Sequence, residues 1–462
     1  MEEYTRGARS GQAMAESFLD GLLNGVFRLL VEVVPPPGPM TPENLAEVAR
    51  GMGAEFSGEP WLYGAVVADR PDELERFSPE AFGEPFGQEF QRPMARMLSG
   101  KGRRAPQVAD LLAEGTLEKG GYQAVCPVSG DALPLEDDYT DSVESLTLCK
   151  SKAPGILTGA TVNVSKYTAP DMALAYAKTA RKLSRGAKFL LAQASWDMAK
   201  AQELQWCLQL RDTMVPVVAR ILWLSQEQRE LLPQCLPPGV LLPELHQRAL
   251  QEAYAQGTAE GRRFQAHALA LQMTGYRRLG FCGVSLGGEH TPLDRATLQE
   301  EFQRCQEQCP DYDSWREAWQ REFGLSMHPP VGTPRYLFEG LLEPHGRDPE
   351  QLHFDPTSAL DTGKASWNDR LVSRLLRLAS TPTTSPRMRR LLCRLCGVAP
   401  QRLPSLGGLG YLPNGECPKG LTGGPCGNVD GEGGCDCREG LCFFRRVLAL
   451  AAAQGRLPEL ER

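Results

Sequence analysis

No apolar run in these 462 residues approaches the roughly 18 needed to cross a bilayer, so no membrane span is expected. The N-terminal stretch MEEYTRGARSGQAMAESFLDGLLNGVFRLL begins acidic and has neither a basic start with a solid apolar run nor a cleavage pattern. No signal peptide is read there, and a cytoplasmic location is expected. Positive charge is not in excess either: 50 Lys and Arg stand against 57 Asp and Glu, a formal net charge of −7. That balance excludes a general attraction to nucleic acid or anionic membranes. The 6 histidines are dispersed without an HxxxH pair, which argues against a histidine-based metal site. No internal repeat is present, and no glycine-rich dinucleotide fingerprint follows the first expected strand.

What remains is ordinary globular composition, 42% hydrophobic and 23% charged, with length for one large domain and a smaller unit. Short β-rich runs recur near 27–34, 62–68, 93–99, 122–128, 158–164, 188–194, 215–222 and 278–286. Helical periodicity fills the intervals, as in 107–115, 169–186 and 261–276. Eight strands alternating with helices predict an α/β fold, a (β/α)8 TIM-type barrel over 1–300; a doubly wound open sheet is the alternative. Residues 301–385 read as a connecting region of helices and loops in which Trp315, Trp319 and Trp367 pack the outer layer. The segment STPTTSPR (380–387) reads as a linker or turn.

In such a barrel the chemistry sits at the C-terminal strand ends. Leu30, Glu32 and Val34 share one face of the first strand, so Glu32 stands among apolar neighbours. A lone carboxylate there is costly unless paired or used; burial would suit it to general-acid work, while bonding to backbone or to an arginine is the plain alternative. Phe189, Leu191 and Gln193 share a face of the sixth strand, and VSGD (128–131) puts Gly130 and Asp131 in a loop at the same mouth. Gln193 could equally be a satisfied core amide, and Asp131 a turn former. SLGGEH (285–290) follows the eighth strand, where barrels bind phosphate, but reads as a simple turn.

These runs, in this order, resemble the catalytic barrel of methylenetetrahydrofolate reductase over about residues 25–290. VEVVPPP (31–37) is similar to the family's opening strand, VVADRP (66–71) to its second-strand turn and VSGDALP (128–134) to its glycine–aspartate loop. GATVNV (159–164) and GAKFLLAQASWD (186–197) resemble its fifth and sixth strands. The resemblance implies a flavoprotein oxidoreductase (FAD or FMN) of one-carbon metabolism. It would reduce the methylene bridge of a folate to methyl, with flavin supplying the hydride chemistry. It implies Glu32 as the acid, Asp131 beside flavin and folate with Gly130 in the same loop, Gln193 bonded to the folate, and Lys182 contacting flavin. The chain departs from the pattern at the third strand, where RMLSGKGRR (96–104) replaces histidine-leucine-threonine-cysteine, and at Ala68, where threonine is usual. Lys101, Arg103 and Arg104 could still meet a phosphate or a folate glutamate.

Seven of the 14 cysteines are scattered, at Cys126, Cys149, Cys207, Cys235, Cys282, Cys305 and Cys309, and read as small core residues. The other seven crowd into 386–462: Cys393, Cys396, Cys417, Cys426, Cys435, Cys437 and Cys442. In a chain without an export signal this density argues for metal binding before disulfides, in a small cysteine-rich domain with little core of its own. CPKGLTGGPCG (417–427) and CDCREGLCFF (435–444) resemble the C-terminal domain associated with the same reductases. Two further family cysteines are replaced, by Val398 and by Leu412 or Pro413. Seven thiolates cannot supply two four-cysteine clusters. The preferred reading is one tetrahedral site from Cys417, Cys426, Cys435 and Cys442, with Cys393, Cys396 and Cys437 forming a second that needs another ligand. Zinc and [4Fe–4S] both fit the spacing.

The expectation is a methylenetetrahydrofolate reductase-like enzyme with its metal tail in cis. Two alternatives stand beside it: an eroded electron-transfer or scaffold subunit docking on an active reductase, and a methyl-pterin-binding accessory protein of methyl transfer. A folate-type substrate is the expected ligand. The electron donor, whether NAD(P)H, ferredoxin or a partner subunit, is open, as is the homo- or hetero-oligomeric state.

Overall fold

The computed structural model describes residues 18–71, 74–113, 115–131, 138–230, 236–237, 239–324, 327, 334–344, 362–398, 417–430 and 432–462. The N-terminal stretch 1–17, the 132–134 end of the glycine–aspartate loop, Cys235, Leu412 and Pro413 lie outside the described residues.

Each of the eight expected runs carries a strand: β1 (Arg28–Val33), β2 (Leu62–Val67), β3 (Met94–Ser99), β4 (Ala124–Val128), β5 (Leu157–Val162), β6 (Phe189–Ala192), β7 (Val217–Trp223) and β8 (Gly283–Gly288). All neighbours pair in parallel, and β8 returns to β1, closing the (β/α)8 barrel. Closure follows from the period-2 alternation of the strands. Leu29, Val31 and Val33 face outward and join Leu45, Ala49, Phe82 and Phe86 of the surrounding helices. Leu30, Val66, Ala95, Cys126, Phe189 and Val218 face inward and form a separate core, with Phe18 and Leu22 packed into it.

The helices start where a side chain can satisfy their first N–H groups. Thr41, Ser78, Asp141, Thr168, Asp197 and Thr291 each accept such a bond. The last of these corrects the reading of SLGGEH: a helix, Pro292–Gln308, follows at once, and Thr291 and Asp294 close a capping box over its N-terminus. Trp315 and Trp319 are buried in the outer layer as expected, whereas Trp367 is 76% exposed and packs nothing there.

Beyond the barrel, the helices Trp367–Ser380 and Pro386–Leu395 enclose a small core of Leu376, Ala379, Leu392 and Cys393, with STPTTSPR as the turn between them. The last helix, Phe443–Ala453, lays Val447, Leu448 and Ala451 against Leu174 and Ala177 of the barrel helix Ala169–Ser184. Its Arg445 donates through Nε to Asp171 Oδ1 at 3.0 Å. The tail is thereby fastened to the barrel between strands β5 and β6.

The end of β3 shows how tightly the mouth is built. Gly100 N donates to Val128 O at 2.8 Å and Gly100 O accepts from Thr140 N at 3.0 Å. A Cβ at Gly100 would lie 1.9 Å from the Thr140 carbonyl oxygen, so no side chain fits without moving backbone. Gly100→Ala is expected to cost at least about 2 kcal/mol, the upper part of the range for overpacking. A urea midpoint unchanged from the parent would refute this packing.

Candidate functional site

All eight strands contribute to one cavity of about 250 Å³ at the C-terminal mouth. Glu32 (β1), Val66 (β2), Met97 and Ser99 (β3), Val128 (β4), Thr161 (β5), Leu191 (β6), Arg220 (β7) and Ser285 (β8) all line it. Its floor is a bonded trio. Arg220 donates through Nε and Nη2 to the two oxygens of Glu32, at 2.6 and 2.8 Å, and through Nη1 to Gln193 Oε1 at 3.0 Å. Gln193 Oε1 also accepts from Ala194 N at 3.1 Å. The oxygen of that amide therefore accepts two bonds, which turns its NH2 group the other way. Glu32 is not the lone carboxylate considered from the sequence; it holds a bidentate arginine, the plain alternative.

On the β2–β3 side a second ion cluster fills the mouth. Buried Asp69 bonds Arg103 through both oxygens, Arg96 Nη2 at 3.3 Å and Ser99 N at 2.9 Å. Arg103 also donates to Ser99 O at 2.9 Å. Of the three basic residues of the turn after β3, Arg103 is committed to Asp69 and Arg104 pairs with Asp138 at 2.7 Å on the surface.

The opposite wall carries three buried lysines: Lys166, Lys178 and Lys182. The tail reaches over them. Lys166 Nζ donates to the carbonyls of Gly427 and Val429 at 2.8 and 2.7 Å. Lys178 Nζ donates to those of Gly424 and Pro425 at 3.1 and 2.9 Å and to Asp141 at 3.3 Å. Asn163 Nδ2 donates to Gly427 O at 2.8 Å. Lys182 alone of the three meets no tail atom among the described residues; it donates to Thr161 O at 2.7 Å and Thr161 Oγ1 at 3.4 Å. Burial pushes Lys166 down to about 8, while burial and the Lys178 charge push Lys182 down to about 7.

Asp131 sits at the junction of barrel and tail. Its Oδ1 accepts from Asn428 Nδ2 at 2.9 Å, and Lys419 Nζ donates to Gly130 O at 3.0 Å. Burial raises the Asp131 carboxyl above the usual range, against the opposing pull of Asn428 and Lys419. Gly130 adopts φ of 87° with Lys101 and Ser99 packed where a Cβ would stand, which only glycine accommodates.

Above this junction lies a second, small chamber lined by Cys417, Cys426, Cys435, Cys437 and Cys442, with Asp436 and Lys419. Ligand atoms of Cys435, Asp436 and Cys437 lie within 4.8 Å of one another. All five thiols are unpaired, so this donor set could hold a soft or borderline ion. Burial raises the Cys417, Cys426 and Cys442 thiols, while a hydrogen bond from Cys437 lowers Cys435 to about 6. Cys437 lines the same chamber as the preferred tetrad, whereas Cys393 and Cys396 pack in the core of the helical pair.

Glu32, Gly130, Asp131, Gln193 and Lys182, named from the sequence, therefore line one cavity, as does Cys426. Arg220, Lys166, Lys178 and Asn428 were missed. Arg220 carried the same signal as Glu32, a charge inside an apolar strand run (VPVVARIL). The others depend on a contact between segments some 260 residues apart, which no local pattern encodes.

No family model matches the sequence, and no curated protein matches it. Among solved structures, the chain is similar to a protein from Clostridium thermocellum that binds two copies of 5-methyl-5,6,7,8-tetrahydrofolic acid, with TM-score 0.48, 14% identity, and coverage of 62% of this chain and 98% of that one. It is also similar to a phosphonomutase candidate from Burkholderia cenocepacia, with TM-score 0.35, 12% identity, and coverage of 64% and 98%.

Lys182 gives the site a pH signature. Its ordinary value is 10.5 and its folded value about 7. Between these the unfolded chain binds more protons, so stability rises with pH; below about 7 the full cost of burying the charge is present. Urea unfolding of the parent minus Lys182→Met should gain up to roughly 1 kcal/mol per unit between pH 7 and 9. A flat difference curve would remove the assignment.

Proposed function

We propose that the barrel mouth binds a reduced folate carrying a one-carbon unit, at a site arranged like that of the methylenetetrahydrofolate reductases. The observation that carries the reading is the convergence of Glu32, Gln193 and Asp131 on one cavity, since the family resemblance had singled out these residues from three separate segments. A pterin ring presents alternating donors and acceptors along one edge. The Gln193 amide and the Glu32 carboxylate, braced together by Arg220, offer complementary groups on the cavity floor. In the reductase step Glu32 is the group that would carry a proton to the ring amine. After donating, it returns to the bidentate pair with Arg220. Asp131 stands across the cavity, beside charge that develops on the ligand.

Flavin would supply the hydride when bound. The residues present do not fit a flavin beside a folate. The third-strand turn where the family binds flavin is occupied by the Asp69–Arg103 cluster. The tail closes the mouth above. That arrangement favours the second reading, a folate-binding accessory protein of methyl transfer or electron transfer.

Titration calorimetry with methyltetrahydrofolate tests the binding reading directly. We expect saturable one-site binding that Gln193→Ala weakens roughly tenfold, the loss of one net hydrogen bond. Absence of heat and of any protection against unfolding would discard it. Glu32→Gln separates the finer readings: it should abolish any folate reduction while leaving the ligand bound, and unaltered turnover would sink the acid role. An absorption spectrum of protein purified without oxygen decides between flavin bands and none.

The thiol chamber is proposed to hold one zinc ion or one [4Fe–4S] cluster on Cys417, Cys426, Cys435 and Cys442, with Cys437 adjacent. Metal analysis should find a single site per chain, lost in Cys426→Ser and Cys442→Ser and unaffected by Cys393→Ser. A chelator should lower the thermal midpoint of the parent. Stoichiometry that falls with Cys393→Ser would restore the second site instead.

A further inference from the structure

The mouth holds a chemical group that neither folate recognition nor the tail uses. Lys178 and Lys182 stand four residues apart on the helix Ala169–Ser184, hence one above the other on the face turned to the cavity. Their surroundings differ. Lys178 is matched by a carboxylate, Asp141, and by two tail carbonyls. Among the described residues, Lys182 bonds only the neutral carbonyl and hydroxyl of Thr161, and the charged group nearest to it in influence is the Lys178 ammonium. The remaining groups acting on it are Asp141, already paired, and the buried Cys126 thiol, whose own value is pushed up by burial.

An amine that is desolvated and set beside a second cation is the arrangement that yields a nucleophilic lysine at neutral pH. Of the three lysines on this wall, only Lys182 has a cation as its strongest charged neighbour: the groups acting on Lys166 are acids and thiols that hold its proton, and Lys178 is locked in an ion pair.

We propose that Lys182 is a carbonyl-reactive site, condensing with a small aldehyde or 2-oxo acid in the barrel mouth to form an imine. The Nζ lone pair attacks the carbonyl carbon, a C–N bond forms, and the carbinolamine loses its oxygen as water with the second amine proton. Nothing is oxidised or reduced in the step. Lys178 lies beside the adduct as the cation that an attached carboxylate would meet, and the Ser142 and Thr179 hydroxyls line the same wall. The low value of Lys182, about 7, supports the geometry, because half the amine is then free at neutral pH. An ordinary lysine near 10.4 is free to only about one part in 2,500 at pH 7.

The test is reductive trapping of the full-length protein at pH 7 with limiting glyoxylate and cyanoborohydride, followed by peptide mapping. The expected result is one carboxymethyl group on Lys182, placed at least about a hundredfold faster than on the exposed Lys150, Lys152 and Lys188, a margin well within the difference in free amine. Lys182→Met, which removes the amine without placing a fixed charge in its site, should abolish that adduct. Raising the pH to 10 should erase the selectivity, since the surface amines then catch up. Label confined to surface lysines overturns the proposal, as does label that moves intact to Lys166 in the methionine variant. The inference stands apart from folate recognition: the same protein tested calorimetrically with methyltetrahydrofolate can fail to bind it while Lys182 still labels, or the reverse.

Discussion

Lys166 and Lys178 bring two ammonium groups into the barrel mouth, and an ammonium removed from water is costly unless every donor finds an acceptor. The barrel supplies Asp141 to one of them. The remaining acceptors come from the tail, as the carbonyls of Gly424, Pro425, Gly427 and Val429. Those carbonyls face inward because Gly424 and Gly427 take positive φ values, 126° and 98°, on either side of Cys426, which turns into the thiol chamber. Each part thus completes the other. The wall needs the strap to satisfy its lysines, and the strap has little core beyond Leu421, Val429 and the closing helix.

The distribution of polarity inside the barrel fixes which end can bind. Leu30, Val66, Ala95, Cys126, Phe189 and Val218 pack the interior with apolar side chains, capped by Phe18 and Leu22. Two residues further along the inner faces of β1 and β7 stand Glu32 and Arg220, and Gln193 follows β6, so the interior changes from apolar to charged within one layer. The Asp69 cluster lines the β2–β3 side of the cavity, Gln193 and Arg220 its floor, and the three lysines the wall beyond β5.

The barrel was legible in the sequence because its determinants are local: eight β-rich runs, alternation within them, and helices between. Glu32 and Gln193 were legible for a related reason, since a polar group at an inward register position stands out against its own strand; Asp131 was read from the glycine–aspartate loop, and Lys182 only from the family resemblance. Arg220 carried that signal too and was passed over, although its charge is what makes sense of Glu32. Trp367 misled because composition says how large a side chain is and not what packs on it. The strap was not legible at all. Nothing local to Lys166 or Asn163 announces that its partner is Gly427, and the pairing of Cys437 with Cys435 in one chamber follows from a turn whose geometry the spacing leaves open.

Cys426 lines both the barrel cavity and the thiol chamber, and this sharing has a thermodynamic consequence. A metal held by the chamber, as proposed above, would fix the backbone from Pro425 to Asn428. The same backbone presents Gly427 O to Lys166 and Asn428 Nδ2 to Asp131. An occupant of the cavity touches those same residues from below. Two ligands that bias one segment are coupled, and coupling of binding free energies is reciprocal: whatever the metal adds to cavity affinity, the cavity ligand adds to metal affinity. Lys182 sits outside this linkage, bonded to Thr161 of β5 rather than to the strap. Its chemistry should follow the barrel wall alone, which is why the amine and the thiols, though both border one mouth, answer to different parts of the chain.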